Sequence, residues 1–257
     1  MCKAFSCLIT KSKRVYWEAG LDSHSDIIKL FLKKDKELKD DKDPPYNTFA
    51  SIEITPENRN YLKPDKWIFK VDMERRPEWF SPKHEELCWA EFNKWKKQVY
   101  SLLDLKQILN PTHPFKIKPP KINKKHLKVL LHWVSVRDSV RASVWASVWD
   151  SVGASVWDSV WYSVRASVWD SVRDSVWASV WDSVRASVGA YIGSMVKLKK
   201  WEYVKFKHKG YPFADAVKLW DMGLVSSFDG NILRLHGGKR ANVLWEGTKK
   251  DLIEQCK

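Results

Sequence analysis

The chain has 257 residues, 44% of them apolar, and a net charge of +14, enough to bury one sizeable core or two small ones. It holds no run of ~18 apolar residues to span a membrane and no long apolar leader, so a soluble cytosolic protein without a membrane partner is expected. Cys2, Cys7, Cys88 and Cys256 follow neither metal-ligand nor disulfide-framework spacing, and no Walker, dinucleotide or Ser/His/Asp motif is present. No cofactor is expected, and a reducing compartment is.

Taken in order, Lys3 to Thr10 alternates as a strand, Lys11 to Arg14 turns, and Val15 to Ala19 returns, which predicts a hairpin. Asp22 or Ser23 caps a short helix carrying Ile27, Ile28, Leu30 and Phe31. A charged loop follows from Lys33 to Pro45, then strands at Phe49 to Thr55 and Lys66 to Met73. Ser81 caps a longer helix with Pro82 at its first position and a buried stripe of Cys88, Phe92, Trp95, Val99 and Leu102. Residues 1–104 thus read as an α+β head, and 105–132 as a stiff Pro/Lys-rich linker.

From Ser135 to Ala190 the pair Ser-Val returns every fourth residue, fourteen times. The next position is Trp, Arg or Gly, and the one after it Asp or Ala, with a single Tyr162. Ala142, Ala154, Ala166, Ala178 and Ala190 fall in step, as do Trp145, Trp157, Trp169 and Trp181, so the longer unit is twelve residues. On an α-helix a four-residue step moves each Val about 40° around the axis, so the stripe circles the helix. Val and Trp also suit a pleated surface better than a helix. The expectation is therefore a short right-handed β-solenoid over 133–196, with a long α-helix or helical pair as the alternative. In the solenoid Val and Ala/Asp line the inside, while Ser and Trp/Arg/Gly face out. Inward Asp residues weigh against it unless they sit at corners. Residues 197–257 would close its open end with a helix over Pro212 to Met222 and a hairpin of Ile232 to Leu235 and Asn242 to Trp245.

The tract resembles pentapeptide-repeat β-solenoids with one residue fewer per repeat. Met1 to Phe5, Ser51 to Pro56, Trp79 to Pro82, and Ser227 through Gly238 look like uncharacterised proteins of bacteria and their phages that join a similar head to short tandem repeats. That resemblance implies a bacterial cytoplasm and a spacer or display role, and supplies no activity.

Charge is concentrated at both ends of the tract. Lys106, Lys116, Lys118, Lys121, Lys124, Lys125 and Lys128 lie in a stretch with no acid, and Lys197, Lys199 and Lys200 follow the repeat. Basic flanks and an outward ladder that includes Arg141, Trp145, Trp157, Trp169 and Trp181 suit nucleic acid or another polyanion, or self-association through exposed Trp. The bland alternatives are solvated linkers and an alphabet left by slippage of a duplicated 36-base unit, since Trp, Arg and Gly codons differ by one base.

For an enzyme the candidate is Cys2, an N-terminal nucleophile if Met1 is removed. In this the start resembles class II glutamine amidotransferases and the proteins that trap abasic sites in single-stranded DNA, although Lys3 stands where those families have Gly. His84 and Cys88, four apart on a helix, could share a metal but read better as surface and core. His236-Gly237-Gly238 reads as a hairpin turn rather than a phosphate loop, because no helix follows. The preferred function is a non-enzymatic binding or scaffold protein of phage or mobile-element origin. An N-terminal Cys enzyme and a self-assembling structural protein are the alternatives.

Overall fold

The computed structural model describes residues 5–39, 48–58, 60–164 and 181–257. The chain divides into two units, Met1–Leu102 with Trp149–Ser159, and Leu103–Val148 with Val160–Lys257.

The first unit is built on an antiparallel sheet of order β2-β1-β3-β4, from β1 (Phe5–Thr10), β2 (Val15–Tyr16), β3 (Phe49–Pro56) and β4 (Trp67–Val71). All six residues of β1 are buried because both faces of the sheet are covered. On one face lies helix α2 (Pro82–Tyr100), which turns Cys88, Phe92, Trp95 and Val99 inward. Phe5 meets Phe92 edge-on at 5.6 Å, and Phe92 stacks on Trp95 at 5.7 Å. On the other face Leu8 packs with Leu38, Phe49 and Ile27 of helix α1 (His24–Phe31). The N-terminus of α2 is closed by His84, whose Nδ1 accepts the Ser81 N–H at 3.1 Å.

The second unit has an antiparallel sheet of order β5-β6-β7, from β5 (Leu224–Asp229), β6 (Ile232–Gly237) and β7 (Asn242–Thr248). Around it lie α3 (Leu105–Leu109), α4 (Lys124–Val136), parts of α5 (Val140–Val152) and α6 (Ala154–Val164), then α7 (Trp181–Gly193), α8 (Ala214–Asp221) and α9 (Lys249–Cys256). Helix α7 packs on β5 and on α8, and α4 on α8 and α9. Tyr191 stacks on Trp220 at 4.6 Å, and Trp133 donates its indole N–H to Ser226 Oγ at 2.7 Å. The stretch 105–132, expected as a linker, contributes two helices to this unit and buries Ile108, Phe115, Leu127 and Leu130.

The expected β-solenoid is overturned. All described residues of the repeat after Val136, apart from Gly153, are helical, and the strands form two small open sheets outside it. Every described Val of the repeat, from Val136 to Val164 and again Val184 and Val188, is at most 6% exposed. The rotation argument against a helix fails because the helices are short. Val140, Val144, Val148 and Val152 drift by about 120° in all, which one broad apolar face accommodates. Gly153, at φ +82°, then ends α5 before the stripe rotates out of its face. Burial of the Val face outweighs the weak helix propensity of Val and Trp. Asp138, Asp150 and Asp158, which the solenoid would have turned inward, are exposed.

Repeat serines tie the helices to their surroundings. Ser187 Oγ lies 3.1 Å from Ser226 Oγ, Ser163 Oγ donates to the Ile108 carbonyl at 3.2 Å, and Ser147 Oγ accepts the Glu202 N–H at 2.7 Å.

Candidate polyanion interface

The basic stretch of the second unit is shaped by its prolines and one cap. Pro114 opens a single 3-10 turn (Pro114–Lys116) that buries Phe115, and a segment with neither helix nor strand then leads through Pro119 and Pro120 to α4. Asn123 starts α4, its Oδ1 accepting the N–H groups of Lys125 at 3.0 Å and His126 at 3.4 Å. Because Leu127, Leu130 and Trp133 take the inner face of α4, Lys124, Lys125 and Lys128 are left on its solvent side. Lys116, Lys118 and Lys121 are exposed on the segment before it. None of these six lysines forms an ion pair with a described carboxylate, unlike Lys94 with Glu91 or Lys218 with Asp215.

Tertiary packing adds two cations that sequence reading treated only as turn residues. A Cβ on Gly237 would stand 2.9 Å from Pro119 Cβ, and Gly238 also faces Pro119. The turn carrying exposed Lys239 and Arg240 is therefore held beside Lys118 and Lys121. A bare backbone at Gly237 is what lets the two segments approach this closely.

The other expected site residues fare differently. Lys199 and Lys200 are exposed, but Lys200 pairs with Glu202 at 2.7 Å. Arg141 and Trp145 share one face of α5, Trp145 being 48% exposed. Trp157, expected in an outward ladder, is 0% exposed, so that ladder is corrected together with the solenoid that required it. Trp181 stands in α7 with its side chain outside the described atoms, and Trp169 and Cys2 lie outside the described residues.

His84 and Cys88 form no metal site. The Ser81 N–H occupies His84 Nδ1, Cys88 has no exposed surface, and no cluster of three potential ligands exists among the described residues. Ser227 and His236 make a tight pair. His236 Nδ1 gives its hydrogen to the Ala241 carbonyl at 3.1 Å, so Nε2 accepts from Ser227 Oγ at 2.7 Å. At 2% and 5% exposure the pair is closed to a substrate and serves to fasten β5 to β6 beside an irregularity in the β6–β7 register. Burial pushes the His236 imidazole below its ordinary pKa, keeping it neutral.

No described helix is long and apolar enough to cross a membrane. Comparisons with protein-family models, curated proteins and solved structures each returned no match, so the expected repeat-solenoid and phage classes find no support there.

Proposed function

We propose that the protein binds a phosphate-rich polymer, nucleic acid being the class that fits, through the basic surface of its second unit. The observation that carries this reading is the run of six exposed lysines, none paired with a described carboxylate, joined at Pro119 by the Lys239–Arg240 turn. Each cation set against a phosphate releases a condensed counterion, which supplies affinity without sequence preference. Arg141 and the half-exposed Trp145 provide a cation and an aromatic face for stacking on an unpaired base.

Fluorescence anisotropy with labelled single-stranded and double-stranded oligonucleotides across a salt series tests this. Binding is expected to weaken linearly in log–log form, by roughly 0.7–0.9 in slope per phosphate contact. Replacing Lys118, Lys121, Lys239 and Arg240 together by Gln should lower that slope. Absence of binding at low salt, or a slope the fourfold variant leaves intact, overturns the reading.

A further inference from the structure

Between α7 and α8, residues 197–213 form a long segment with neither helix nor strand, and ordered loops of that length are more often functional than not. Six lysines, Lys197, Lys199, Lys200, Lys205, Lys207 and Lys209, stand in it against one acid, Glu202. All but Lys200 are exposed without an ion pair to a described carboxylate. Lys200 meets Glu202 at 2.7 Å and offsets the one negative charge of the loop. The loop is nevertheless fixed to the fold. Trp201 is buried edge-on against Tyr211 at 4.9 Å, the Glu202 N–H reaches Ser147 Oγ at 2.7 Å, and Phe206 packs on Phe213 at 6.2 Å. Tyr211 donates its hydroxyl to the Ala190 carbonyl at the end of α7. Between these anchors Tyr203 turns outward and is 65% exposed. Its φ is +57°, in the left-handed region where Gly or Asn sits easily and a bulky residue does not. A glycine would make this turn with less strain, so the ring at this position costs stability and adds nothing to the packing. Strain of that kind collects where a side chain is displayed to a ligand.

We propose that this loop is a second contact for nucleic acid, selective for single strands, in which Tyr203 stacks on an unpaired base while Lys205, Lys207 and Lys209 meet the adjoining phosphates. It rests on the nucleic-acid reading above and narrows it to one form of the polymer. Lysines neutralise the phosphates of duplex and single strand alike. The face of a base, however, is open to an aromatic ring only where the base has left its own stack. Trp201 and Tyr203, two residues apart, divide the work: the first ring anchors the loop and the second is presented. An acidic peptide would match the charge of the lysines but offer no flat ring to Tyr203. Phosphate and planar base together use both features of the loop.

The test is fluorescence anisotropy of the full chain with a labelled single strand, a duplex of the same length, and an abasic strand that keeps the phosphates and lacks the bases. The single strand is expected to bind about tenfold more tightly than the abasic one. Tyr203→Gly relieves the backbone and should melt no lower than the parent, yet lose about tenfold in affinity for the single strand and nothing for the abasic strand or the duplex. Tyr203→Phe keeps the aromatic face and should bind as the parent does. Replacing Lys205, Lys207 and Lys209 together by Gln should lower the salt slope for the single strand by about 2. An abasic strand bound as tightly as the complete one overturns the inference in favour of charge alone, and single-strand affinity that Tyr203→Gly leaves intact overturns it too. Either failure is distinct from failure of the basic surface, which is read from the slope of the fourfold variant at Lys118, Lys121, Lys239 and Arg240.

Discussion

Trp145 and Trp157 follow the same Ser-Val pair, twelve residues apart, yet the first is half exposed on α5 and the second is buried in α6. Their local sequences, Ser143-Val144-Trp145-Ala146 and Ser155-Val156-Trp157-Asp158, hardly differ. Twelve residues carry a continuous helix about 120° past whole turns, and Gly153 separates the two helices besides. The repeat therefore keeps Val inside and leaves the fate of each Trp to its phase and its neighbours. Identical letters are not equivalent positions.

Substitution breaks or sharpens this contrast most directly. Trp157→Ala should cost about 3–5 kcal/mol of stability, as for other buried large aromatics. By contrast, Trp145→Ala, with half of the ring already in solvent, should cost about 1–2 kcal/mol. The shift in urea midpoint measures both, and equal shifts would erase the distinction. Next come two glycines of the first unit. Gly20, at φ +85°, would drive a Cβ into the Asp150 carbonyl, so Gly20→Ala should cost roughly 1–3 kcal/mol. Gly153 has a similar φ of +82° but only Gly20 Cα nearby, at 4.0 Å, so Gly153→Ala should cost about 1 kcal/mol from backbone strain alone. If Gly153→Ala proves harmless in thermal melts, the αL break does not set the phase of α6.

The smallest effect asks whether burial governs histidine as it governs tryptophan. The folded-state pKa of His236 lies below its unfolded value, so the unfolded chain binds more protons in weak acid. Stability from this group is present above the unfolded pKa of about 6.5 and is lost as pH falls through the folded value. His236→Gln should flatten the acid limb of a stability–pH curve below neutrality, whereas a limb of unchanged slope would show that other groups dominate it.

Much of the first unit was legible in sequence. Ser81, Pro82 and the period of Cys88, Phe92, Trp95 and Val99 gave α2 its start and its inner face, and alternation gave β3 and β4. The repeat misled because β propensity was weighed without tertiary burial, and because the drift of its Val stripe was computed for one unbroken helix. Helix α4 was hidden under its lysines, although Asn123 and the spacing of Leu127, Leu130 and Trp133 mark it. The lysines themselves were visible as a cluster, but Lys239 and Arg240 join them only through packing at Gly237. The pairing of His132 with Asp215 leaves no local trace at all, since it rests on α4 meeting α8.

The division of the repeat between the two units also bears on synthesis. The first unit includes Trp149–Ser159, so it stays incomplete on the ribosome after its first 102 residues have emerged. At ~5–20 residues per second that interval lasts several seconds, during which part of the second unit is already exposed. The two units are thus made as overlapping rather than successive folding problems, and the short Ser-Val segment closes the first while the second is still being translated.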